Sequence, residues 1–208
     1  MVKRVTKKVR GRECRRRKRI ILIGTEGKNR TETKYFSGFN RYLSQYSIHF
    51  SIGNNTDALG VINNTIASMK DIEKDDLVFS FIDYDTINTK KHHESIAIAF
   101  KKATKHNITV LVSNPIFEVW FLLHFRYSTR SYGDNEEVIH ELRKYIADYE
   151  KNSDVFNLLY NKISTAIKNA IQLDEYHKQM GHIEIYEKSP SSDVYKLIEL
   201  LHEDMKKE

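Results

Sequence analysis

The sequence predicts an α/β fold with a mostly parallel central sheet flanked by helices. Two observations predict it, and a third locates its working edge. First, Ile20-Ile21-Leu22-Ile23-Gly24 and Leu77-Val78-Phe79-Ser80-Phe81-Ile82 are short apolar runs rich in β-branched and aromatic residues. Runs of this kind suit parallel strands covered on both faces. Second, strand and helix patterns alternate βαβαβαβ through residue 112, which calls for parallel strands joined by right-handed crossovers. Third, both runs end in acids: Thr25-Glu26-Gly27 after one, Asp83-Tyr84-Asp85 after the other. Ligands of open α/β sheets bind beyond the carboxyl ends of the strands.

The elements follow in order. Residues 1–19 hold too few apolar residues to fold alone and read as a basic disordered arm. The first strand is expected at 20–24. A helix then starts at Thr31-Glu32-Thr33, with Thr31 as its N-cap. Tyr35, Phe36, Phe39, Tyr42 and Leu43 give it an aromatic face that reads as core. Ile48–Ile52 alternates as a strand, and Ala58–Met69 has helical spacing. After the strand at 77–82 comes a polar loop with Asn88, Lys90, Lys91, His92 and His93, then a helix through Ile96, Ala99 and Phe100. Ile108–Val112 is the next strand. Ser113 or Asn114 then caps a helix with Pro115 in its first turn. That helix is apolar nearly all round, so Glu118 is expected to be buried and to need a partner, a proton or a metal. Helices are expected at about 136–148, 154–178 and 193–205. The domain reading is an arm at 1–19, an α/β core at 20–130 and a helical region at 131–208 packed on that core.

Charge divides the chain. The net charge is +6, yet residues 1–19 alone carry +10 and leave −4 for the rest. Arg12, Arg15, Arg16, Arg17, Lys18 and Arg19 are therefore candidate contacts to a phosphate backbone, the plain alternative being a solvated leader. Nothing approaches a membrane-spanning apolar stretch, and no apolar run behind the first charges makes a secretory signal. A single cysteine, Cys14, leaves no internal disulfide and no multi-cysteine zinc site, and it fits a reducing cytoplasm.

The chemistry-bearing residues are mostly acids. Glu26, Asp83 and Asp85 converge if their strands are neighbours, and such a cluster repels itself unless protons or a cation hold it. A hard ion such as Mg²⁺, or Mn²⁺ in its place, takes one or two carboxylates with waters and phosphate oxygens. Alternate residues of an extended segment point the same way, so Asp83 and Asp85 can face one ion. A solvated turn is the plain alternative. His124 falls on an apolar helical face, the usual place of a hydrogen-bonded core histidine. Gly24-x-x-Gly27 lacks the lysine and spacing of a P-loop, and neither a nucleophile elbow nor a zinc helix is present.

Several of these stretches together resemble the RloB-like proteins. They are Ile21-Leu22-Ile23 with Glu26-Gly27, Thr31-Glu32-x-x-Tyr35-Phe36, Asp83-x-Asp85, and Ser113-Asn114-Pro115-x-Phe117-Glu118-x-Trp120-x-x-x-His124-Phe125. Tyr149-x-Lys151 and Pro190-Ser191-Ser192 fit as well, and the likeness covers roughly 19–205. It implies a Toprim-like fold in which Glu26 acts as general acid or base and Asp83 and Asp85 hold Mg²⁺. It further implies a cytoplasmic, metal-dependent nuclease of bacterial defence against phage, with RNA, tRNA included, preferred over DNA as substrate, alongside partner defence proteins. Glu118, His124 and Lys151 would complete or support that site. The rival readings are a non-catalytic nucleic-acid-binding or assembly subunit and a small-nucleotide phosphodiesterase.

Overall fold

The computed structural model describes residues 17–27, 30–53, 57–85 and 89–206. Four parallel strands carry the sheet: β1 (Arg19–Thr25), β2 (Tyr46–Ile52), β3 (Leu77–Asp83) and β4 (Thr109–Asn114). A two-residue strand, β5 (Ser191–Ser192), pairs antiparallel with the end of β4. The order across the sheet is β2-β1-β3-β4-β5, so β1 and β3 are neighbours.

Side-chain alternation assigns the two faces. Leu22, Val78 and Ile82 point to one face, where α2 (Ala58–Ala67) and α3 (Lys90–Lys105) cover them with Ile62, Ala99 and Ala103. Ile21, Ile23, Phe79 and Phe81 point to the other. There α1 (Thr31–Ser37) and α4 (Glu118–Leu123) bury the expected aromatic stripe of Tyr35, Phe36 and Phe39 against Phe117, Trp120 and Phe121. The same core takes in residues of α5 (Asn135–Arg143), the short α6 (Phe156–Leu159), α7 (Ile163–Gln179) and α8 (Val194–Met205). The C-terminal part thus completes both the core and the sheet, through α7, α8 and β5.

Three local expectations need correction. The helix after β4 does not begin at Pro115: Ser113 and Asn114 are still strand, the Asn114–Pro115 peptide is cis, and α4 starts at Glu118 behind Phe117. Thr31 is not the N-cap of α1, since Arg30 holds that place and the Thr31 hydroxyl accepts from the Asn152 N–H at 3.3 Å. His92 and His93 are not in a loop but in the first turn of α3, where the Thr89 hydroxyl accepts from the His92 N–H.

Gly24 permits the close approach of α2 to the end of β1. A Cβ there would stand 1.9 Å from Thr65 Oγ1 and 2.8 Å from Ser80 Oγ. Both hydroxyls are buried and bonded to each other at 3.0 Å, so neither can swing away freely. Gly24→Ala is expected to cost about 1–3 kcal/mol by overpacking. That lowers the melting temperature by about 2–12 °C. An unchanged melting curve would show that α2 yields without cost.

Candidate metal and phosphate site

The register brings the acids level. Gly24 pairs with Ser80, Glu26 follows two residues later just past the end of β1, and Asp83 lies three residues on at the end of β3. Asp83 in turn pairs with Ser113 of β4, whose chain turns through Pro115 into Glu118 at the start of α4. Glu32 arrives from the first turn of α1. Each comes from the carboxyl end of a strand or from the helix that follows one.

These carboxyls feel one another. Burial pushes Glu26 up to about 7, with Asp85 adding to the rise. Burial again lifts Glu32, to about 8, and Glu118 and Glu26 add repulsion. Asp83 is held well above the usual carboxylate range by burial and then by Glu32, Glu118, Glu26 and Asp85. Glu118 is raised by burial as well, although Lys151 and the Tyr149 hydroxyl oppose the rise. Lys151 also draws Glu26 and Glu32 down, so it is a cation that faces this group. Its turn is tied to α1: the Arg30 N–H donates to Asn152 Oδ1, and the Lys34 ammonium donates to the Asn152 carbonyl.

Glu118 is 3% exposed, as its apolar helix predicts. Its partner, however, is Tyr149, whose hydroxyl donates to Glu118 Oε1 at 2.9 Å. Tyr149→Phe would leave that oxygen buried without its donor, at a cost of about 1–3 kcal/mol. Urea unfolding reads the loss, and an unchanged midpoint would mean another donor replaces the phenol.

Asp85 differs from expectation. The strand ends at Asp83, and Asp85 has φ of 53°, so the alternation of an extended chain stops before it. Its N–H donates to the Pro115 carbonyl at 2.9 Å, and its Oδ1 accepts from Asn135 Nδ2 at 2.8 Å. Asp85 therefore reaches the group by charge, from a turned and anchored backbone.

His124 lies in the core. It is 1% exposed, Nδ1 donates to the Trp120 carbonyl at 2.9 Å, and Nε2 accepts from the Tyr35 hydroxyl at 3.3 Å. Burial lowers it to about 4, so it is neutral at physiological pH. Both nitrogens are occupied, and its placement is that of a core histidine beside the aromatic cluster.

Among the described residues, no three His, Cys, Asp or Glu side chains stand ready around one point to hold an ion. The donor chemistry nevertheless suits a hard cation. Every acid here offers oxygen, and Glu32 Oε2 is buried with no hydrogen-bond partner among the described residues. Mg²⁺ keeps several waters and needs only one or two carboxylates, so a closed ligand shell is not required of the protein.

The family model described as RloB-like protein matches residues 21–201, most of the chain. The chain belongs to the RloB-like protein family. Comparison with curated proteins and with solved structures gives no match. In this RloB-like chain the matched stretch contains every acid of the group and ends within α8. No helix among the described residues is long and apolar enough to cross a membrane.

The described end of the basic arm, residues 17–19, lies at the other end of β1. Arg12, Arg15 and Arg16 lie outside the described residues. Arg17 pairs with Glu73 at 2.9 Å and Asp76 at 3.0 Å, Lys18 donates to the Leu43 carbonyl, and Arg19 donates to the Tyr46 hydroxyl at 2.9 Å. All three sit at the amino end of β1, about 20 Å of strand away from the acids. The structure does not bring these three cations to the acid edge. Sequence reading also passed over Glu32 and Tyr149 as site residues.

Proposed function

We propose that this RloB-like chain is a metal-dependent nuclease that hydrolyses phosphodiester bonds of nucleic acid. The observation that supports this best is the gathering of Glu26, Glu32, Asp83 and Glu118 at the carboxyl ends of adjacent parallel strands, with one buried carboxylate oxygen lacking a partner among the described residues. Asp83, Asp85 and Glu26 would hold a divalent cation there, which would supply charge neutralisation for a scissile phosphate. Glu26, raised to about 7, can take or give a proton at the attacking or leaving oxygen near neutral pH. Lys151 faces the acids and offers a cation to the phosphate. Glu118, fixed by Tyr149, backs the cluster from the core. RNA as substrate, tRNA included, and a role in bacterial defence against phage rest on the resemblance alone.

The test compares a labelled RNA polymer with a dinucleotide, each with Mg²⁺. Cutting of the polymer is expected. Hydrolysis of the dinucleotide alone would make the chain a small-nucleotide phosphodiesterase, and binding of the polymer with no hydrolysis would make it a binding subunit.

A further inference from the structure

An aromatic ladder leads from the acid edge to solvent. Tyr84, between Asp83 and Asp85, is buried. His92 meets its ring edge-on at 5.3 Å, and His92 Nε2 donates to the Tyr84 carbonyl at 2.8 Å. His93 tilts against Tyr84 at 6.0 Å and stacks on Tyr186 at 4.7 Å, with 15° between the ring planes. Tyr186 is 42% exposed. One face of its ring is covered by His93, and the ring still reaches solvent.

The turn that carries Tyr186 is braced. The Glu187 carboxylate accepts from the N–H groups of Ile183 at 2.8 Å and Glu184 at 2.9 Å. Asn114, the last residue of β4, donates from Nδ2 to the Ile185 carbonyl at 2.8 Å. Tyr186 is therefore tied to the same carboxyl edge as the acids. A ring held this way gives up little freedom when a ligand stacks on it.

Two further features point to a ligand. His93 Nε2 is shielded from solvent and has no hydrogen-bond partner among the described residues. Lys90 and Lys91, both exposed, open the same helical turn as the two histidines. Cations at a helix N-terminus oppose the macrodipole, so stability alone does not account for them. Lys90 reaches Glu94 only at 4.0 Å, with its side chain 92% exposed.

We propose that the free face of Tyr186 stacks an unpaired nucleobase of a single-stranded polynucleotide, with Lys90 and Lys91 placed for the adjoining phosphates. The proposal rests on the nuclease reading of the acid site and adds the form of nucleic acid that the site takes. A π-face accepts any base, so the platform selects unpaired strands rather than a sequence. A duplex keeps its bases stacked on one another and offers no free face.

Binding is measured without turnover, in EDTA, by fluorescence anisotropy. The probes are a labelled single-stranded RNA oligonucleotide, its DNA counterpart and the matching duplex. Tyr186→Ala is expected to weaken single-strand binding about 5- to 150-fold, the range for losing one base stack. The loss should be similar for RNA and DNA, and duplex binding should hardly change. Tyr186→Trp is expected to retain binding, with its indole emission quenched by the oligonucleotide. Trp120, at 0% exposure, contributes a constant background. Single-strand binding unchanged in Tyr186→Ala overturns the proposal, as does unquenched emission from Tyr186→Trp or a native chain that binds no single strand. The two readings fail separately. Tyr186-dependent binding without any Mg²⁺-dependent cleavage keeps the platform and removes the nuclease. Cleavage with unchanged Tyr186→Ala binding does the reverse.

Discussion

Replacing Asp83 with asparagine is expected to lower Mg²⁺-dependent single-turnover cleavage about a thousandfold while strand binding stays near normal. Asp83 ends β3 at the centre of the acid group, where Glu32, Glu118, Glu26 and Asp85 all press on it. Asparagine keeps the shape and removes the charge that a cation needs. The same change should raise the stability of the metal-free protein, because it removes a repelled carboxyl from a partly buried place. Gain of stability with loss of turnover is the signature of a residue kept for chemistry rather than folding. Single-turnover cleavage at saturating protein, beside a melting curve, reads both. A variant that cuts normally would place the chemistry elsewhere, and one that melts far lower would make Asp83 structural.

The second large effect is on stability against pH. Glu26 and Glu32 titrate near their ordinary value of 4.5 when unfolded and at about 7 and about 8 when folded. Between those values the folded chain holds more protons than the unfolded one. The stability they contribute is full below pH 4.5 and is lost as pH rises through 7 and 8. Buried His124, lowered from 6.5 to about 4, works in the opposite sense, but only below 6.5. From pH 6.5 to 8 the carboxyls therefore dominate. Discounting for the partial exposure of Glu26, the expected loss across that window is about 2 kcal/mol. In melting temperature this is about 4–8 °C. A divalent cation held as proposed would bind the ionised carboxylates, so the stabilising effect of Mg²⁺ is expected to be greater at pH 8 than at pH 5.5. Melting curves across pH, with Mg²⁺ and with EDTA, check this. A flat profile, or an equal Mg²⁺ effect at both ends, would mean that the carboxyls are not crowded as described.

Much of this was legible before any coordinates. Strands such as Ile20–Gly24 and Leu77–Ile82 are apolar because both faces are covered, and the acids that follow them are conspicuous for that reason. The burial of Glu118 followed from its apolar helix. Its partner did not, because Tyr149 is 31 residues away and no local pattern connects them. Glu32 falls in the first turn of a helix, a favourable place for an acid whether solvated or buried, so local pattern does not mark it as a site residue. Only the packing of α1 on the sheet makes it a buried member of the site. Thr31-Glu32 close behind Glu26-Gly27 was the available signal. The backbone at Asp85 departs from the extended alternation expected of Asp83-x-Asp85, because contacts with Pro115 and Asn135, distant in sequence, accompany its turn. β5 has two residues and no strand pattern at all.

The central claim is that the acid group at the ends of β1 and β3 cleaves phosphodiester bonds with a divalent cation. The most direct measurement incubates the full chain with end-labelled single-stranded RNA and with plasmid DNA, in Mg²⁺ and in EDTA, with Asp83→Asn alongside. The account predicts fragments in Mg²⁺, none in EDTA, and none above background from the variant. Intact nucleic acid in Mg²⁺, or equal cleavage by the variant or in EDTA, would contradict it.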